Sequence, residues 1–172
     1  MNLADYCAEL SGLLKKKHCS QIYFVGSVLV RKDCSDVDIY VLGKDAQFIL
    51  EILNGYVFSN GKELEALDSL STDDCFNSSN ESLTNFIIGN GMVKKIKDFD
   101  FNKLSINGLF LSKLACYEQR SHETLKDLDD LDIIYEKLGQ INGNGAISEK
   151  MKKIIDEFDL TDAFIDFSEE CL

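Results

Sequence analysis

Two aspartates separated by a single residue, Asp36 and Asp38, are the first candidates for chemistry in this sequence. On a β-strand, residues i and i+2 point to the same side, so both carboxylates face one way. Carboxylates about 6–7 Å apart along a strand repel each other unless something binds them. A hard divalent cation with oxygen ligands, Mg²⁺ or Mn²⁺, is the natural partner, and Mg²⁺ sites in proteins often also bind phosphate. We therefore predict that Asp36 and Asp38 are metal ligands, the alternative being two solvated aspartates on a surface strand.

A glycine and a serine, Gly26 and Ser27, follow the apolar run that ends at Val25, and they precede the aspartates by a short spacer. Glycine has no Cβ, so a ligand can approach its backbone closely. Backbone N–H groups and a hydroxyl in a tight turn suit a phosphate. We therefore predict that Gly26 and Ser27 can contact a phosphate.

The elements that must position these residues form an α/β pattern. Residues 21–25, 36–42, 55–58 and 83–88 predict strands, and residues 92–106 predict one more. Residues 3–17 and 44–53 predict amphipathic helices, the first ending in three lysines at positions 15–17 and the second directing Phe48, Ile49 and Ile52 inward. Residues 69–82 predict an exposed loop, and helices are predicted at 108–119, 124–138, 147–158 and 160–170. We expect a small mixed sheet with flanking helices in residues 1–106, and a helical bundle packed on it in residues 107–172.

The segment Gly26-Ser27, followed by Ser35-Asp36-Val37-Asp38-Ile39, resembles the signature of DNA polymerase β-type nucleotidyltransferases. The resemblance implies a nucleotidyltransferase-type fold. It also implies that the aspartates bind Mg²⁺ and position a nucleoside triphosphate (NTP), with Gly26 and Ser27 holding its β- and γ-phosphates. A third carboxylate on a later strand would complete the site and activate the acceptor hydroxyl.

The second half of the chain is similar to the C-terminal helices of AbiEii-like toxin nucleotidyltransferases, in a segment that includes Lys113, Arg120 and Lys126-Asp127-Leu128-Asp129-Asp130. The resemblance implies that Lys113, Lys126 and Asp130 flank the nucleotide, and that Arg31, Lys113 and Lys126 supply countercharges to the triphosphate. The alternatives are a surface lysine at Lys113 and a solvated acidic helix face at Asp127 and Asp130. An antitoxin or other partner protein is a further expectation.

The third carboxylate is expected centrally in residues 83–88, where the best-placed residue is an amide, Asn85. An amide cannot act as a general base. Either Glu65, Asp74 or Glu81 supplies the acid, or the protein is a degenerate nucleotidyltransferase that binds a nucleotide or a partner protein. The favoured activity is transfer of a nucleoside monophosphate from an NTP to a hydroxyl of a tRNA, a protein or a small molecule such as an antibiotic.

Composition narrows the choice of partners. The formal net charge is −12, which argues against a broad electrostatic grip on nucleic acid and favours a cationic small molecule or protein as acceptor. The six cysteines include no C-x-x-C pair, so we do not expect a zinc site. We expect all six to be free thiols. Acidic residues in the amphipathic N-terminal segment and the lack of a long apolar run predict a cytoplasmic protein that does not contact a membrane.

Overall fold

A computed structural model describes residues 1–14, 20–143 and 147–171. The chain divides into two compact units, each with many contacts among its own residues. The first comprises Met1–Leu70 and Val93–Leu104, and the second comprises Ser71–Met92 and Ser105–Leu172. Residues 71–92, which the sequence analysis placed in the sheet region, therefore group with the C-terminal helices.

The first unit contains the β-sheet. Its elements are α1 (Leu3–Leu13), β1 (Gln21–Val25), a 3₁₀ helix (Ser27–Leu29), β2 (Asp36–Leu42), α2 (Ala46–Leu53), β3 (Glu63–Leu67), β4 (Val93–Lys95) and β5 (Asn102–Leu104). The five strands are ordered β3-β2-β1-β5-β4. Strand β1 is antiparallel to β2 and parallel to β5, β2 is parallel to β3, and β4 is antiparallel to β5. The sheet is mixed, which confirms the predicted α/β class.

One face of this sheet is the apolar core of the first unit. Val37, Ile39 and Val41 alternate along β2 and are buried there, together with Ile49 and Leu53 of α2 and residues of α1. The side chains between them on β2 point to the other face, as the period of two requires.

Helix α2 is oriented differently from the prediction. Phe48 and Ile52 were expected to face inward, but they are 60% and 40% exposed. Ile49 and Leu53, four residues apart, form the buried face instead.

The second unit is helical. It contains a 3₁₀ helix (Ser71–Asp74), α3 (Leu83–Gly89), α4 (Ile106–Gln119), α5 (Leu125–Asn142), α6 (Glu149–Glu157) and α7 (Thr161–Cys171). The last four agree with the predicted C-terminal helices to within a few residues. None of the described helices is long and apolar enough to cross a membrane.

The predicted strand at 83–88 is wrong, because these residues form helix α3. The Ser82 side chain accepts a hydrogen bond from the Asn85 N–H and so caps the helix. Leu83 and Ile87, one helical turn apart, are its buried apolar residues. A short, mostly apolar run is compatible with either a strand or a helix, and the cap and the i, i+4 burial identify the helix.

Three further predictions differ from the structure. Residues 55–58 form no strand and contribute only an isolated bridge between Val57 and Glu63. Strand β3 was not predicted, and residues 92–106 hold two strands in place of one. The predicted exposed loop at 69–82 includes the first 3₁₀ turn of the second unit, where Thr72 is buried.

Some predictions fall at the edge of the described residues. The lysines expected to end the first helix lie outside them, and α1 ends at Leu13 with Leu14 as its C-cap. No disulfide joins the cysteines of the described residues, while Cys19 lies outside these residues.

Candidate metal and nucleotide site

Three carboxylates converge on the face of the sheet opposite the apolar core. Asp36 and Asp38 are half-buried on β2, and Glu65 is exposed on the neighbouring strand β3. Parallel pairing of the two strands places Glu65 directly opposite Asp38. One ligand oxygen from each of the three carboxylates lies within 4.8 Å of the others. This is the arrangement that the spacing of Asp36 and Asp38 predicted, with Glu65 as a third member.

Gly26 lies against Asp38. The end of β1 is paired with β2 so that Val25 is opposite Asp38, and Gly26 follows with φ +71°. A Cβ built on Gly26 would lie 2.0 Å from Asp38 Oδ2. Only glycine avoids this clash, and glycine also adopts this positive φ without strain. The absence of a side chain at position 26 is therefore what allows the Asp38 carboxylate to occupy its position.

Ser27 and Arg31 flank the same turn. Ser27 is 2% exposed and starts the 3₁₀ helix, which ends where the Val30 N–H donates to Ser27 O at 2.9 Å; the Arg31 N–H also donates to Ser27 O, at 3.0 Å. The Arg31 side chain is half-buried. Gly26, Ser27, Asp36 and Asp38 are thus adjacent, at the end of β1 and the start of β2.

The spacer before Asp36 is held by a lysine from outside the motif. Lys62 Nζ donates to Lys32 O at 2.8 Å and also to Cys34 O, and it lies 3.2 Å from Cys34 Sγ. Desolvation lowers the pKa of Lys62, but its contacts with Cys34 and Tyr6 outweigh this effect and raise that pKa above its ordinary value. Lys62 therefore remains a cation and fixes the chain immediately before Asp36.

The donor set suits a hard divalent cation. Carboxylate oxygens are the ligands that Mg²⁺ and Mn²⁺ prefer. Oxygens on a common Mg²⁺ are at most about 4.2 Å apart, since each bond is about 2.1 Å. The three carboxylates need only a small side-chain adjustment to meet that geometry, and Glu65 is exposed and able to make it.

Lys113 and Asp130 form part of a buried charge cluster in the second unit. Lys113 Nζ lies 2.7 Å from Asp130 Oδ2 and 3.8 Å from Asp127 Oδ1, and Arg120 Nη1 lies 2.6 Å from Asp127 Oδ2. Lys113 is 8% exposed, and both aspartates are fully buried. The alternatives of a surface lysine and a solvated acidic face are therefore wrong. Two cations and two anions on α4, α5 and the turn between them compensate one another.

The remaining predicted residues also belong to the second unit. Asn85 is exposed on α3 and occupies no strand of the sheet. Lys126 is exposed in the first turn of α5, and Asp74 and Glu81 are exposed before α3. Of the three acids considered in place of Asn85, Glu65 is the one that lies with Asp36 and Asp38.

His122 is only partly exposed and contacts three side chains of the second unit. Its Nε2 lies 2.7 Å from Glu118 Oε2, its Nδ1 contacts Asp166 Oδ2, and its ring stacks on Tyr117 at 4.8 Å between centroids. Hydrogen bonding to Glu118 is the largest cause that raises the pKa of His122 above 6.5, and Asp166 adds to it. His122 thus links the end of α4 to α7 through Glu118 and Asp166.

Glu65 is the site residue that the sequence analysis named only as an alternative. Glu63-Leu64-Glu65-Ala66-Leu67 alternates polar and apolar residues with the period of a half-buried strand. That alternation is the feature of the sequence from which strand β3 could have been predicted. The pairing that brings Glu65 to Asp38 joins residues distant in sequence, and alternation alone does not predict it.

No protein-family model, curated protein or solved structure matches this chain.

Proposed function

We propose that this protein is a metal-dependent nucleotidyltransferase that moves a nucleoside monophosphate from an NTP to a hydroxyl acceptor. The observation that carries the proposal is the convergence of Asp36, Asp38 and Glu65, with Gly26 against Asp38. Three carboxylates repel one another and favour a bound cation. The mixed sheet with helices on its core face is compatible with a nucleotidyltransferase-type fold, which is part of the proposal.

In this proposal Asp36 and Asp38 hold Mg²⁺ or Mn²⁺, and Glu65 completes the set. The metal, when bound, neutralises phosphate charge and orients the triphosphate. The Gly26-Ser27 turn lies beside Asp38, where phosphates would be held. Glu65 takes the proton from the acceptor hydroxyl. Positioning and charge neutralisation supply most of the rate.

The sequence resemblance assigns Arg31, Lys113, Lys126 and Asp130 to the nucleotide, and of these Arg31 belongs to the unit that contains the three carboxylates. Arg31 lies four residues after Ser27, and its N–H donates to Ser27 O at 3.0 Å, which supports its assignment to the triphosphate. Lys113 and Asp130 neutralise each other's charge in a buried cluster, so their geometry adds no support to the role that the resemblance gives them. The acceptor is a tRNA, a protein or a small molecule, and an antitoxin-like partner remains part of the proposal.

The rival function is a degenerate member of the same superfamily that only binds a nucleotide or a partner protein. It was based on Asn85 as the third group of the site. A carboxylate within reach of Asp36 and Asp38 favours the enzyme, because Glu65 can act as a general base and Asn85 cannot.

The test is transfer of label from α-³²P-labelled NTPs, with Mg²⁺, to the protein, RNA and small-molecule fractions of a bacterial lysate. We expect one fraction to be labelled by the wild type and not by Asp38→Asn or Glu65→Gln. Glu63→Gln is the matched control, since Glu63 lies on the same strand and face but outside the three-carboxylate group. Labelling by none of the four NTPs, or equal labelling by Asp38→Asn, would overturn the proposal.

A further inference from the structure

Strand β3 is an outer edge of the sheet, and only its first half is covered. On the side away from β2, the Phe58 N–H donates to Lys62 O at 2.8 Å, and the Leu64 N–H donates to Tyr56 O at 2.9 Å. Among the described residues, no strand continues this pairing beyond Leu64. The second half of β3 therefore presents an open edge.

The open edge has backbone groups directed outward. Successive residues of a strand direct their N–H and C=O groups to opposite sides. The backbone groups of Lys62 and Leu64 bond outward, so those of Ala66, two residues further along β3, also point away from β2. An edge of this kind is a template for an additional strand.

A cleft runs along this edge. It has a volume of about 490 Å³ and lies between the second half of α2, including Leu50 and Asn54, and the backbone of 64–68. The cleft lies beside the part of β3 that the 56–58 segment leaves uncovered. It therefore has room for an extended chain beside Ala66.

The charge of the cleft selects its occupant. Glu51, Glu65 and Asp68 line it, and among the described residues no lysine or arginine does. Because the whole chain carries a net charge of −12, a second copy of this edge is repelled, and so is a polyanion such as RNA. A basic segment is attracted.

The register connects the edge to the metal site. A residue added opposite Glu65 lies on the same face as Asp36 and Asp38, with its Cβ about 5 Å from that of Glu65. A serine, threonine or tyrosine hydroxyl at that position is within reach of the Glu65 carboxylate. A strand added at this edge would therefore bring an acceptor hydroxyl to Glu65, which is the carboxylate of the site that β3 contributes.

We propose that the acceptor is a hydroxyl side chain in a basic, extended segment of another protein, which adds as a strand to β3 at Ala66. This inference rests on the proposed function of the three-carboxylate site. The acceptor oxygen forms a bond to the α-phosphorus of the NTP, and the bond to the bridging oxygen breaks. Pyrophosphate leaves with that electron pair, and the hydroxyl proton passes to Glu65.

The test uses fluorescent peptides of about ten residues, rich in lysine and arginine and lacking proline, each with one central serine, threonine or tyrosine. Binding to the full chain is followed by anisotropy with Mg²⁺ and without NTP. Ala66→Pro removes the outward N–H but no bond to β2, and should weaken binding about tenfold or more. Ala66→Val, which keeps that N–H, is the matched control and should bind as the wild type does.

A second variant keeps the test decisive if Ala66→Pro fails to fold. Glu51→Lys combined with Asp68→Lys reverses charge in the cleft and should weaken binding of the basic peptides by about tenfold or more. The proposal is overturned if no basic peptide binds the wild type, or if this double variant and a folded Ala66→Pro both bind as tightly as the wild type does.

Label transfer separates this inference from the proposed function. Transfer from α-labelled NTP to the bound peptide, lost in Glu65→Gln while the peptide still binds, supports both. Transfer to RNA or a small molecule but not to a bound peptide overturns the acceptor and leaves the nucleotidyltransferase in place. Peptide binding that depends on Ala66, with no transfer to any acceptor, overturns the enzyme and leaves the docking edge.

Discussion

Gly26 determines how closely the end of β1 approaches the metal site. Gly26→Ala brings a Cβ to 2.0 Å from Asp38 Oδ2 and places alanine at φ +71°, so we expect a loss of about 2 kcal/mol or more in stability and weaker Mg²⁺ binding. Gly61→Ala is the matched control. Gly61 has φ +82° but no atom near its absent Cβ, so the variant should lose about 1 kcal/mol and no metal affinity. Urea unfolding and Mg²⁺ titration measure the two effects, and equal metal affinities would contradict the steric role.

Repulsion among the three carboxylates gives a second residue-scale prediction. Asp38→Asn removes one charge, so the metal-free protein should gain about 1 kcal/mol, or about 2–4 °C in Tm. Addition of Mg²⁺ and NTP should raise the Tm of the wild type, because a ligand that binds only the native state stabilises it. The same addition should leave the Tm of Asp38→Asn unchanged. Thermal unfolding with and without Mg²⁺ and NTP measures both Tm changes, the one caused by the substitution and the one caused by the ligands. A metal-free variant that melts below wild type would show that repulsion does not dominate there.

At the scale of the element, α3 offers a test of where Asn85 lies. It is the third residue after the Ser82 cap, a position where an acid interacts favourably with the helix N-terminus. Asn85→Asp should therefore stabilise the protein by about 0.3–1 kcal/mol, equally with and without Mg²⁺. Chemical unfolding in the two buffers measures it. A gain that needs Mg²⁺ would place Asn85 at the metal site.

His122 makes the contact between α4 and α7 depend on pH. Because Glu118 and Asp166 raise its pKa in the folded state, its stabilising effect is complete below about pH 6.5 and is lost as pH rises through the raised value. We expect the stability difference between wild type and His122→Gln to be largest at acidic pH and to shrink as the solution becomes alkaline. Unfolding series for both proteins across this range test it, and a difference that grows with pH would contradict the assignment.

The sequence predicts an element well when the pattern that specifies it lies entirely within that element. β1, β2 and α4 to α7 were predictable because their apolar periodicity is complete within each segment. The convergence of Asp36 and Asp38 follows from strand geometry alone. The place of Glu65 does not, because it depends on parallel pairing of β3 with β2, and Phe48 shows that an apolar residue on a helix need not be buried.

At the scale of the whole molecule, the net charge of −12 makes stability sensitive to ionic strength. Screening of self-repulsion should raise Tm as NaCl increases from low to physiological concentration. Mg²⁺ should raise it further when compared at equal ionic strength, and only that excess reports a specific site. Melting curves in matched NaCl and MgCl₂ series check this, with Asp36→Asn as the variant that should lose the excess.

The two compact units are interleaved along the chain: the first is completed only by the segment Val93–Leu104, and the second begins before it, at Ser71. During synthesis the chain leaves the ribosome from its N-terminus at about 5–20 residues per second. The sheet cannot gain its last two strands until Leu104 has emerged, and α3 must wait for α4 although it is made earlier. Neither unit can finish folding before the other has been partly synthesised. The open edge of β3 and the acidic face beside it are therefore made well before the sheet that supports them is complete.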